Sequence, residues 1–180
     1  MKLVFRINID DNLEKTLAAS RYRKFWEENN EEILSSLYKH TGLHFKQHTI
    51  TVRIRADERS RAGNSHSPME LSMTYKEQDS IACALIHELA HRLVIGNGIE
   101  PPEDNAFIKS HANYYMHKHI DLFLYDVFLD VLSKEAADYE VKRESVSPES
   151  FYAKAWKWAL DMDYAERQVV FDRLKKRYIK

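Results

Sequence analysis

The residues best suited to chemistry are His87, Glu88 and His91, in the run His-Glu-Leu-Ala-His. Two histidines four positions apart on a helix lie one turn apart on the same face, so both can reach one metal ion. Glu88 is rotated by about 100° from His87 on a helix of 3.6 residues per turn, which sets its carboxylate beside such an ion rather than on it. Zinc lowers the pKa of bound water from 15.7 to about 7, and an adjacent glutamate can take the proton while the water attacks a carbonyl. The bland alternative is a pair of ordinary core histidines. It is costly here, because two imidazoles and a carboxylate would be buried without partners in an otherwise apolar helix.

A catalytic zinc takes three protein ligands and keeps a fourth position open. The next long helix carries His117 and Asp121, again four apart. On a helical wheel His117, Asp121, Leu124, Phe128 and Val131 share one apolar face, while His119, Asp126 and Asp130 fall on the opposite, more polar side. His117 is therefore the expected third ligand. Asp121 is expected to accept a hydrogen bond from a ligand histidine, so that the other ring nitrogen faces the metal. His119, Asp121 itself, His111, Glu100 and Glu103 are the alternative ligands. Hydrolysis also needs a donor for the developing oxyanion, and Tyr114, Tyr115, His111 and Tyr75 are the candidates. Packing is the usual alternative role for such tyrosines.

Several elements must position these groups. Residues 3 to 9 alternate Leu3, Phe5, Ile7 and Ile9 against Val4, Arg6 and Asn8, the period of a half-buried strand. From 12 to 40 the spacing of Leu13, Leu17, Tyr22, Phe25, Trp26, Ile33, Leu34 and Leu37 is helical, and Gly42 is its stop. Ile50, Val52 and Ile54 define a second strand, 59 to 68 an exposed loop, and Met69 to Tyr75 a third, short strand. The motif lies on an apolar helix over 79–95, ended by Gly96-Asn97-Gly98 and followed by an irregular stretch from Pro101-Pro102. A long helix is expected over 113–137, then two more over 148–160 and 164–178, the former capped by Ser147 with Pro148 in its first turn.

With 180 residues, no Pro/Gly/Ser-rich linker and no repeat, the chain reads as one domain over 1–180. Its 44% hydrophobic and 31% charged residues describe an ordinary helix-rich globular protein. The net charge of −1 lacks the basic footprint of a nucleic-acid binder, and Arg173, Lys175, Lys176, Arg177 and Lys180 read as the wet side of a last helix. Arg6 and Asn8 interrupt the N-terminal apolar run, which speaks against a signal peptide, and no stretch has transmembrane length. Cys83 is the single cysteine, so no intramolecular disulfide forms, and the expectation is a cytoplasmic protein without membrane or nucleic-acid partners. Trp156 and Trp158 read as core and cover, with partner recognition as their alternative.

The run His87-Glu-Leu-Ala-His91 followed by His117-Lys-His-Ile-Asp-Leu-Phe-Leu-Tyr-Asp126 resembles small bacterial and phage proteins with a zincin-like, minimal-gluzincin-type core. The resemblance covers roughly 50 residues. It implies an α+β fold with a small mixed sheet, an edge strand packed on a long active-site helix, and a helical C-terminal half. It further implies a zinc-dependent metallopeptidase whose extended peptide substrate pairs with the edge strand, which would be Met69 to Tyr75 here. The longer metzincin pattern would place glycine at 94 and histidine at 97, where Val94 and Asn97 stand. The thermolysin-like pattern has glutamate where this chain has His117, a departure that bears on subfamily and metal preference. A zincin-like binding or regulatory module, and metal-assisted hydrolysis of a non-peptide amide, are the competing functions.

Overall fold

The computed structural model describes residues 1–6, 12–56, 67–100 and 111–179. They form an α+β structure with a three-stranded sheet and six helices: β1 (Lys2–Arg6), α1 (Leu13–Thr41), β2 (Thr49–Arg55), β3 (Met69–Ser72), α2 (Gln78–Gly96), α3 (Ala112–Val131), α4 (Lys134–Glu144), α5 (Phe151–Leu160) and α6 (Tyr164–Tyr178). No helix among the described residues is long and apolar enough to cross a membrane. Ile7, Ile9, Pro101, Pro102, Glu103 and most of the expected 59–68 loop lie outside the described residues.

The strand order is β1-β2-β3, and both pairings are parallel, with Leu3 opposite Ile50 and Ile54 opposite Leu71. The expected mixed sheet is thus corrected. Between β1 and β2 the chain runs back along α1, and a strand–helix–strand crossover returns the next strand in the same direction. Leu3, Ile50, Val52, Ile54, Met69 and Leu71 are buried on the helix side of the sheet, where α1 lies against β1 and β2 and α2 against β3. The third strand is shorter than expected, since the chain turns at Met73 and Thr74. Among the described residues β1 and β3 are the two ends of the sheet.

α1 starts at an Asn12 cap that accepts the Lys15 N–H at 3.0 Å and ends at Gly42, whose φ of 66° is the left-handed conformation glycine adopts without strain. Its buried face begins only at Ala18, Ala19 and Tyr22; Leu13 and Leu17, part of the helical spacing, are exposed. α2 ends in a turn where Gly98, at φ 79°, takes the left-handed position and the Asn97 side chain donates to the Leu93 and His44 carbonyls.

α3 is the central helix and packs against α1, α2, α4, α5 and α6. Leu122, Phe123, Leu124 and Phe128 on it are fully buried, each contributing about 1.5–3 kcal/mol of apolar transfer free energy. The single helix expected over 113–137 is in fact two. Ser133 breaks it, because its hydroxyl accepts the Ala136 N–H at 3.1 Å and caps a new helix, α4, that runs on to Glu144. A similar correction applies at 148. Ser147 and Pro148 lie in a turn, and Ser150 is the cap of α5, accepting the Ala153 N–H at 3.1 Å.

The face of α3 expected to be polar is also largely covered: His119 and Asp126 are buried and Asp130 is half-buried. Asp126 takes both carboxylate oxygens to Arg167 of α6, at 2.9 and 2.8 Å, and His119 lies under the Tyr178 ring. Asp130 accepts from Ser36 and Lys39 of α1, each at 2.9 Å, and lies 2.8 Å from His40 Nε2. A helical wheel sees only one helix; here α1 and α6 supply partners to what would otherwise be a solvated side.

Candidate metal centre

The helix α2 presents His87 and His91 on one face, and their Nε2 atoms are 3.2 Å apart. α3 crosses α2 so that the His117 ring stands 5.0 Å from the His87 ring and 4.9 Å from the His91 ring, centre to centre. One ring nitrogen from each of the three lies within 4.8 Å of the others, the one such convergence of histidine, cysteine or carboxylate side chains among the described residues. All three are buried, at 6, 8 and 4% exposure. Zinc–nitrogen bonds of about 2.0–2.1 Å in a tetrahedron separate ligand nitrogens by about 3.3 Å, so the His87–His91 spacing already suits one ion.

Electrostatics point the same way. Burial lowers the His87 imidazole to about 4 and, with the neighbouring His91 and His87, puts His117 well below the ordinary histidine value. Neutral imidazole is the form that binds a metal. Burial, followed by the nearby Glu144 carboxylate, pushes Glu88 up to about 8, and the same two causes put Asp121 well above the carboxylate range. Among the described residues, the Nδ1 atom of His117 and both carboxylate oxygens of Asp121 have no hydrogen-bond partner, with 3.9 Å between His117 Nδ1 and Asp121 Oδ1. Buried polar atoms are rarely left unsatisfied, and a cluster of them marks a place where a further group fits. Three histidine nitrogens with a carboxyl group behind one of them could hold a metal ion.

The structure therefore brings together His87, His91 and His117, with Asp121 beside His117 and Glu88 buried next to His87 in the chain. It separates the other candidates. His119 is buried on the α6 side of α3, next to Tyr178, and burial lowers it to about 4. His111 and Glu100 are exposed, and Glu103 is outside the described residues. Of the expected oxyanion donors, Tyr114 and Tyr115 pack on each other at 5.5 Å, and Tyr75 faces the Arg143 guanidinium at 5.4 Å.

Several neighbours of the site are not apparent from the sequence pattern. Phe151 and Tyr152, the first residues of α5, lie over the His117 ring at 5.5 and 4.3 Å. Glu144, the last residue of α4, has Oε1 3.4 Å from His87 Nδ1, and its Oε2 accepts the Trp156 indole N–H at 2.7 Å. Arg143 reaches Glu140 through Nε at 2.7 Å and stands 3.6 Å from Glu144. The available signal is Ser133: read as a cap, it defines a helix over 134–144 with Glu140 and Glu144 one turn apart. Compared with family models, with curated proteins and with solved structures, the chain matches none, so its chemistry rests on the site itself.

Proposed function

We propose that this chain is a zinc-dependent metallopeptidase of zincin-like, minimal-gluzincin type, in which His87, His91 and His117 hold the ion and Glu88 is the general base. The observation that carries the reading is the convergence of three buried histidines from two helices, with a buried glutamate next to the first. Zinc, when bound, acidifies its water and polarises a carbonyl. Glu88 takes the proton from the attacking water and returns it to the leaving amine, a task suited to a carboxyl whose proton affinity is raised towards neutrality by burial. Asp121, held behind His117, steadies that ring. The substrate is an extended peptide laid along β3, which hydrogen-bonds to β2 on one side and, among the described residues, has no strand on the other.

One observation favours a second reading, a metal-holding module that binds a partner without turnover. The histidines and Glu88 are at most 8% exposed, and Phe151 and Tyr152 cover His117, which narrows the way in for a peptide. Metal analysis of protein purified without chelators, followed by hydrolysis of an unstructured protein and a peptide mixture, separates the two. The peptidase reading expects about one zinc per chain and cleavage that Glu88→Gln abolishes while zinc stays bound. Zinc without cleavage favours the module, and a chain that takes up no zinc ends both.

A further inference from the structure

The His87 ring is held between two demands. Its Nε2 faces His91 Nε2 at 3.2 Å, on the side where the histidines converge, and its Nδ1 faces Glu144 Oε1 at 3.4 Å. A neutral imidazole carries one proton. If Nε2 is to offer a lone pair to a cation, that proton must sit on Nδ1, and a carboxylate opposite Nδ1 stabilises this tautomer and makes Nε2 a stronger donor. The contact is longer than a charge-assisted hydrogen bond and is not aligned as one, so His87 Nδ1 counts among the unsatisfied buried atoms. Glu144 Oε1 is nonetheless within ion-pair range of it.

Glu144 is itself held. Its side chain is 8% exposed, its Oε2 accepts from Trp156 Nε1 at 2.7 Å, and Trp156 is the largest of the fully buried side chains. Its two oxygens thus face partners on α2 and α5, with Arg143 of its own helix also 3.6 Å from Oε1, while the residue ends α4. Asp121 does not duplicate this, since it lies beside His117.

We infer that Glu144 is the positioning residue for His87, fixing its tautomer and ring orientation, and that Trp156 anchors Glu144 for that purpose. The inference rests on the metal-site reading above. Trp156 then belongs to the metal centre through one intermediary as well as to the core, and helices α4 and α5 are coupled to zinc affinity although neither carries a ligand.

The test is zinc affinity by competition with a chromophoric chelator, using the full chain and the variants Glu144→Ala, Glu144→Gln and Trp156→Phe, with exposed Glu149→Gln as control. Glu144→Ala weakens zinc binding by roughly 10–100-fold, the range for loss of an outer-shell partner. Glu144→Gln, whose amide oxygen still accepts from Nδ1–H, recovers part of that loss; Trp156→Phe loses less than Glu144→Ala, and Glu149→Gln changes nothing. Folded Glu144→Ala with wild-type affinity overturns the inference while leaving the metal site standing. Wild-type protein that takes up no zinc overturns the metal reading first, before any variant is made. Should Glu144→Ala not fold, imidazole nitrogen NMR of histidine-labelled, zinc-free wild type decides: a proton on His87 Nδ1 before any metal is added supports the assignment, and a proton on Nε2 sinks it.

Discussion

The Nε2 atoms of His87 and His91 stand 3.2 Å apart on one face of α2, and His117 of α3 completes the group. His119, two residues further along α3, is also buried but points to Tyr178. The two histidines of α3 are therefore a matched pair for assigning the third ligand. His117→Ala is expected to weaken zinc binding by more than the roughly 10–100-fold typical of an outer-shell loss, and His119→Ala to leave it within about threefold. Chelator competition reads both, and equal affinities for the two variants would refute the assignment.

Glu88 makes the metal-free protein pay for its readiness. Its folded proton affinity is raised to about 8 from an ordinary 4.5 by burial and then by Glu144. A raised folded value means that the stability it permits is complete below about pH 4.5 and is lost as pH climbs towards 8. Glu88→Gln escapes that loss. In zinc-free protein the variant should match wild type near pH 4.5 and exceed it by on the order of 2–3 kcal/mol at pH 7, measured by denaturant unfolding. A gap that does not grow with pH would contradict the burial of this carboxyl.

Arg167 and Asp126 form a two-oxygen ion pair between α6 and α3, with Arg167 Nη1 also donating to the Met162 carbonyl at 2.9 Å. Removing one member of a buried pair strands the other. Arg167→Met is expected to destabilise by about 3–5 kcal/mol, and Arg167→Met combined with Asp126→Leu to recover much of that. Chemical denaturation of the single and double variants closes the cycle; additive losses would mean the pair is not coupled.

Asp130 joins α3 to α1 through Lys39, Ser36 and His40. Burial pushes its carboxyl up, but the hydrogen bonds from these three outweigh it and hold the proton affinity below the ordinary 3.8. A lowered folded value means the contribution is present above about 3.8 and fades as pH falls through the folded value. Asp130→Asn should lower Tm at neutral pH, with the difference from wild type shrinking below pH 4. A difference that stays constant down to pH 2 would show that geometry, not charge, is what matters there.

Much of the local architecture is legible in the amino-acid pattern. The four-residue spacing of His87 and His91 is a property of one helical turn, and Gly42 ends α1 because a left-handed residue there is a local need. The wheel also groups His117 with Leu124 and Phe128, but it does not say which helix that face meets. Where the pattern misleads, the missing information is not local. The wheel assigns Asp126 and Asp130 to water, whereas Arg167 and His40, distant in sequence, cover them. Ser133 could extend a helix or cap one, and only the return of α4 across α2 decides for the cap.

The sequence by itself determined which side chains can bind a cation and that two of them share a helix face, because backbone geometry dictates that without reference to the rest of the chain. Tertiary structure alone decided that His117 comes to them, that Glu144 and Trp156 stand behind His87, and that the sheet is parallel. Those outcomes depend on how buried helices cross, and crossing is set by the joint packing of faces from α1 to α6, which no window of sequence contains.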